Sequence, residues 1–162
     1  MRVSVEVKLE QLLEAAPVLR DLSSVIKYEI MWEFRNSVIR KVQQLNPKDW
    51  FKNSTGAMFI SINGIIIDDH ISFYSTQKHF IAQEEGVRPH TMWYLLGKTV
   101  PLRKEGGETI FRKCTLKSIM RGGWRHPGYS GKHFLKHCVD LAMEELPSIV
   151  SARIFANTGI MI

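Results

Sequence analysis

The sequence predicts an α+β fold in which a small antiparallel sheet packs against a long N-terminal helix and a C-terminal helix. Three observations lead there. Apolar residues recur at spacings of three and four along residues 9–45 and again along residues 134–146, as in helices with one buried face. Between these stretches lie short β-branched and apolar runs separated by turn residues, which read as strands. The length of 162 residues, 44% of them hydrophobic, allows one substantial core, so residues 1–162 read as a single domain.

Val3, Val5 and Val7 alternate with Arg2, Ser4, Glu6 and Lys8, the period-two pattern of a half-buried strand. The period then becomes helical. Leu12, Ala16, Leu19, Leu22, Ile26, Ile30, Phe34, Val38, Val42 and Leu45 trace one stripe, with Pro17 as a first-turn proline after a short helix. Asn46-Pro47 stops the helix. At about thirty residues it is long for a domain of this size, so part of it is expected to pack against another subunit.

Residues 58–67 are apolar and β-branched, a strand with Asn63-Gly64 as a bulge or hairpin turn inside it and Asp68-Asp69 at its end. Residues 73–85 read as a helix capped by Gly86. Arg88-Pro89 opens a loop or extended segment through Met92, Trp93 and Tyr94. Residues 99–102 and 108–115 read as two strands joined at Lys104-Glu105-Gly106-Gly107, a hairpin. The C-terminal helix begins near Lys132, with Pro147 kinking or restarting it. Residues 154–162 form an apolar tail with a turn at Asn157-Thr158-Gly159, expected to seek a partner.

The stretch 122–143 organises the chain. It places a Gly pair, Trp124, a His126-Pro127-Gly128 turn and Ser130-Gly131 directly before the last helix, whose buried face carries Leu135, Val139, Ala142 and Leu146 with Phe134, Cys138 and Leu141 beside them. A shaped loop on a rigid helix is where contacts are usually made.

Charge adds a second asymmetry. Ten Lys and Arg lie between Lys98 and Lys136 against Glu105 and Glu108 alone, so of the net charge of +6 this stretch holds +8 and the rest −2. Three readings fit: a polyanion as neighbour, an acidic protein surface, or a solvated basic face without a partner. Cys114 and Cys138 form neither a CxxC pair nor a disulfide scaffold, which suits a reduced, cytosolic origin. The alternating N-terminus does not resemble a signal peptide, and no apolar run approaches a membrane span. Export by a signal and membrane insertion are therefore not expected.

Catalytic chemistry finds no specific support. His133 and His137 stand at i and i+4 and could share an ion with His126, Asp69 or His70, but Lys132 and Lys136 flank them and repel a cation. Cys138 follows His137 directly, and adjacent helical positions diverge by about 100°. Cys114 suits a small core residue. The glycine pairs at Gly106-Gly107 and Gly122-Gly123 lack the Lys-Ser/Thr ending of a phosphate loop. No metal, cofactor or catalytic residue is expected. Arg121, Trp124, Arg125, Tyr129 and Lys132 interleave cations and aromatics as nucleic-acid-binding loops do; the other reading is that Trp124 and Tyr129 pack the loop onto the helix.

Three segments in order carry a family resemblance. The run Ser54-Thr55-Gly56-Ala57-Met58-Phe59-Ile60-Ser61-Ile62 resembles a Thr-Gly-x-Leu-x-x-Ser-Ile turn and strand. Phe80-Ile81-Ala82-Gln83-Glu84-Glu85-Gly86 is similar to a segment of an aromatic, a nearby Ala and a closing Gly. Trp124-Arg125-His126-Pro127-Gly128, followed by Gly131 and Phe134, resembles a Trp-x-His-Pro-Gly turn leading into the last helix. The family that all three resemble is the tail-completion or head-tail-joining (neck) proteins of long-tailed bacteriophages, and the resemblance spans about residues 50–145. Met58 stands where that family often has Leu, and its variable middle loop is not matched over residues 87–102.

The resemblance implies a non-enzymatic virion protein of neck, tail-completion or tail-terminator type. Such a subunit forms a closed homo-oligomeric ring, commonly six-fold, that joins the capsid connector or adaptor to the tail tube or tail terminator. It surrounds the channel through which DNA passes without sequence recognition. The expected location is the virion, and the host cytoplasm during assembly. The expected subunit or partner interface is Trp124, Arg125, His126, Pro127, Gly128, Tyr129 and Phe134. Arg103, Lys104, Arg112, Lys113 and Arg121 are expected to face the channel or an acidic neighbour. The alternative function is a monomeric basic nucleic-acid-binding protein.

Overall fold

A central strand buried between two neighbours orders the first part of the chain. In the computed structural model, which describes residues 5–51, 56–104 and 106–159, β1 (Val5–Lys8), β2 (Ile62–Ile67) and β3 (His70–Ser75) form an antiparallel sheet in the order β1-β3-β2. Register runs from Val5↔Phe73 to Lys8↔His70 on one side and from Ile62↔Ser75 to Ile67↔His70 on the other. Ile71, Ser72 and Phe73 of β3 are all buried, which corrects the expected helix over 73–85. Only α5 (Phe80–Glu85) is helical there.

The β2–β3 turn is the two residues Asp68-Asp69, with Asp68 in the left-handed region at φ 50°, a conformation Asp tolerates better than most residues. Asn63-Gly64, expected as a bulge or turn, instead runs straight through β2. Gly64 pairs with Phe73, and its missing side chain makes room for Arg35, whose Nε donates to the Gly64 carbonyl at 2.6 Å. A Cβ there would lie 3.0 Å from Arg35 Cγ. The head of the expected strand is likewise a turn of helix, α4 (Ala57–Ile60).

The short helix expected before Pro17 is present, and the long helix expected after it is two pieces. α1 (Leu9–Ala15) is followed by a 3-10 turn over Pro17–Asp21 and then by α2 (Ser24–Gln44), 21 residues long. Pro17 has no N–H to continue α1, and Ser23 caps α2 by accepting the Ile26 N–H. The apolar stripe is continuous in sequence while the backbone is not, so excess helix length no longer argues for a second subunit. Asn46-Pro47 ends α2 as expected and starts the short α3 (Pro47–Trp50), with the Asn46 side chain accepting the Lys48 N–H.

The last helix, α7 (Phe134–Thr158), does not restart at Pro147. Pro147 lies on its exposed side, where water can serve the carbonyl left without an N–H partner. Ile154, expected in a free apolar tail, is 4% exposed in the core, and Gly159 closes the helix at φ 71°. Val3, residues 53–55 of the expected turn and resemblance, Glu105, and residues 160–162 lie outside the described residues. Among the described residues no helix is long and apolar enough to cross a membrane.

The chain divides into two compact units, a helical body of residues 1–84 and 132–162 and an insert of residues 85–131. In the body, α2 packs along α7, with Ile30, Met31, Phe34, Val38 and Val42 buried with Leu135, Cys138, Ala142, Leu146 and Val150. The Phe134 ring is the hub of an aromatic cluster, with centroids of Phe59, Phe51, Phe80 and Trp50 at 5.0, 5.8, 6.0 and 6.2 Å. The insert holds two-residue pairings, β4 (Gly86–Val87) with β9 (Tyr129–Ser130) and β5 (His90–Thr91) with β8 (Arg125–His126). It also holds a 3-10 turn over Trp93–Leu95, the hairpin β6 (Thr99–Arg103) with β7 (Thr109–Lys113), and α6 (Leu116–Met120). Its small core is Cys114, Ile119 and Trp124, joined by Met92, Leu95, Val100 and Leu102. The hairpin is the one read from the sequence.

Candidate functional site

The Trp124–Tyr129 loop is built from the insert's own contacts. Thr115 and Ser118 form a capping box at the start of α6, and the Ser118 hydroxyl also accepts the Trp124 Nε1–H at 2.7 Å. The Trp124 carbonyl accepts the Met92 N–H at 2.9 Å. Two glycines seat the loop. A Cβ on Gly128 would lie 2.5 Å from the Val87 carbonyl oxygen, and one on Gly86 would lie 2.4 Å from that of Tyr129; both have positive φ, so only glycine fits either place. His126 Nδ1 accepts the Gly128 N–H at 3.0 Å, and its ring stacks on His90 with centroids 5.1 Å apart and planes at 10°.

This changes what the expected interface residues can do. Trp124 is 4% exposed and Phe134 fully buried, one in each core, so neither can touch a partner directly. Arg125, Pro127 and Tyr129 remain exposed, with His126 and Gly128 half-buried.

The basic residues sort by location. The insert carries nine Lys and Arg against three Glu, while the body carries thirteen of each sign; the net charge of +6 is therefore all in the insert. Arg103, Lys104, Arg112 and Lys113 lie on or beside the hairpin and Arg121 follows α6, all exposed. Lys104 is engaged with Glu108 across the hairpin end at 3.4 Å. Period-two alternation puts Thr99, Pro101, Arg103, Thr109, Phe111 and Lys113 on the outer face and Val100, Leu102, Ile110 and Arg112 on the other. Phe111 is 73% exposed.

The body has an apolar surface of its own. Val25, Tyr28 and Trp32, at helical spacing along α2, are exposed, and the Arg35 guanidinium lies 4.8 Å from the Trp32 ring. Beside them Glu33 pairs with Arg153, and the Asn157 amide donates to Glu29. An open groove of about 420 Å³ runs along Glu33, Ile149, Ala152, Arg153 and Ala156. Glu145 accepts from Ser37 and Lys41 at 2.8 and 2.5 Å. The Lys41 hydrogen bond, then that of Ser37, holds its carboxyl below the ordinary range.

Glu84 is a structural charge that sequence reasoning missed. It is 3% exposed, and its carboxylate accepts the Leu135 and Lys136 N–H groups at 3.0 Å each. It thereby caps the positive end of α7 from 51 residues away. The backbone adds Lys132 N–H to Gln83 O at 2.8 Å and His133 N–H to Glu84 O at 3.1 Å, so the points where the chain leaves and re-enters the body are tied together.

His133 has φ 51° just ahead of α7, and the His137 ring packs at 5.7 Å from Trp50. Among the described residues no three His, Cys, Asp or Glu are grouped to hold a metal. Burial, and then Glu84, pushes the Cys138 thiol up to about 11 despite the opposing effect of Lys41, so it is not a thiolate at neutral pH. Compared with protein-family models, curated proteins and solved structures, the chain matches none.

Proposed function

We propose that this chain is a structural subunit of a bacteriophage head-tail junction, of neck, tail-completion or tail-terminator type, that closes into a homo-oligomeric ring around the DNA channel. The observation that carries the reading is that large apolar side chains are exposed on both units, which differ in charge. Val25, Tyr28 and Trp32 are exposed on the neutral body, while Trp93, Tyr94 and Phe111 are exposed on the basic insert. A head-to-tail ring needs two different surfaces on every copy, and exposed aromatic clusters on a folded chain mark association sites. The Trp-x-His-Pro-Gly resemblance supports the same reading, with Trp124 and Gly128 shaping the insert that presents the contacts.

The test is assembly. Trp32→Glu places a charge on the α2 stripe without entering the core; sedimentation should show it shifting a ring to smaller species, and an unchanged ring would contradict the role of that stripe. The second reading, a monomeric nucleic-acid-binding protein, is favoured by one observation, the exposed Phe111 between cations on the hairpin. A monomer whose oligonucleotide binding falls steeply with salt would support it.

A further inference from the structure

The insert's charge is concentrated enough to assign a ligand to one face. On the outer face of the β6–β7 ribbon, Phe111 stands opposite Pro101, with Arg103 and Lys113 toward opposite ends. At about 3.4 Å per residue, the two cations lie roughly 14 Å apart along the ribbon with the ring between them. No described ion pair engages Arg103 or Lys113; the hairpin's one described pair uses Lys104 and Glu108. Thr99 and Thr109 add hydroxyls on the same exposed face.

We infer that this face binds the phosphodiester backbone of nucleic acid without sequence preference, Arg103 and Lys113 holding phosphates and Phe111 offering its ring to an unpaired base. Complementarity supports it: nine cations against three acids in the insert make a field that attracts a polyanion. An exposed aromatic between unpaired cations is what strand-binding surfaces use, because every base has a stacking face. A two-stranded ribbon also fits a duplex major groove, so duplex and single strand share the phosphate chemistry and differ in what Phe111 gains. Arg112, on the opposite side of the ribbon, is not part of the face. The inference rests on the insert being the partner-binding unit, and holds for a ring or a monomer.

The test is a fluorescence-anisotropy salt titration with short mixed-sequence oligonucleotides, single-stranded and duplex. Arg103→Ala/Lys113→Ala should weaken binding to both and flatten the log–log salt slope by about 1.4 for the single strand and about 1.8 for the duplex. Phe111→Ala should weaken the single strand about tenfold, with the slope kept and the duplex little changed. Lys48→Ala/Lys78→Ala, the same charge removed from exposed positions of the body, should leave both titrations as in the unmodified protein. Wild-type binding by the double variant, equal loss in the body control, or absence of binding at low salt would each overturn the inference. So would binding to polyglutamate in place of oligonucleotide, which would assign the face to an acidic protein surface. Light scattering on the same samples reads assembly separately. A ring whose DNA binding ignores Arg103 and Lys113 refutes this face and leaves the ring, while a monomer that binds through them refutes the ring and leaves the face.

Discussion

The helical body and the insert meet opposite demands with the same chain. The body buries α2 against α7 and gathers four aromatic rings around Phe134, while its thirteen charges of each sign cancel. The insert has Cys114, Ile119 and Trp124 as its buried apolar residues, exposes Phe111, Met120, Trp93 and Tyr94, and carries the whole net charge. Burial specifies the body, whereas interlocking glycines and a few directed hydrogen bonds specify the insert. The lesson is that one chain can hold two kinds of unit, one ordered by a large core with balanced charge and one with a small core that carries the net positive charge.

The largest expected effect tests the body's half. Phe134→Ala empties the centre of the aromatic cluster and should cost about 3–5 kcal/mol, read as a large fall in the thermal midpoint with loss of helical circular dichroism. A small shift would mean that the cluster is not the body's core.

Trp124→Ala should cost about 3 kcal/mol, but within the insert. Hydrogen exchange should quicken at Met92 and through α6, while amides of α2 and α7 keep their protection. Gly128→Ala should give the same pattern, because its Cβ would meet the Val87 carbonyl at 2.5 Å. Faster exchange throughout the body would erase the distinction between the units.

Glu84→Gln sharpens the comparison at the junction. Replacing the carboxylate with an amide leaves one acceptor oxygen for two N–H groups and removes the charge facing the α7 N-terminus, a loss of about 2 kcal/mol. Exchange should rise first at Leu135 and Lys136. Protection unchanged at those two amides would deny the cap.

The smallest effect is set by pH. Because Lys41 and Ser37 hold the Glu145 carboxyl low in the folded state, the unfolded chain takes up its proton first as pH falls. The contribution is complete above the ordinary carboxylate value and disappears as pH drops through the lower folded value. Glu145 is half exposed, so the contribution should stay below about 1 kcal/mol. Urea midpoints of Glu145→Gln and the unmodified protein should differ at neutral pH and converge in acid; a constant gap would contradict the linkage.

Local signals in the sequence were legible where they acted alone. Gly106-Gly107 between alternating runs marked the β6–β7 hairpin, Asn46-Pro47 marked the end of α2, and the periodicity from Phe134 onward marked α7. Competing signals misled. Asn63-Gly64 is the stronger turn dipeptide, yet pairing of Gly64 with Phe73 and the seat it makes for Arg35 keep it in β2, and Asp68-Asp69 turns the chain. Pro17 marked the end of the short first helix, but the stripe from Leu12 to Leu45 concealed the second break at Ser23, since separate segments can bury one continuous face. Of the candidate interface, the loop's position before α7 was legible and its burial was not: Trp124 and Phe134 look alike in sequence to exposed anchors. Glu84 left no local trace at all, because its partners lie 51 and 52 residues away.

The proposed ring requires that exposed side chains on both units bring copies of the chain together. Light scattering of the purified protein across a concentration series, with negative-stain imaging of the largest species, tests it most directly. The expected result is one discrete assembly of a small whole number of copies with a central hole. A strict monomer at every concentration would contradict it and leave the basic hairpin as the surface of a protein that works alone.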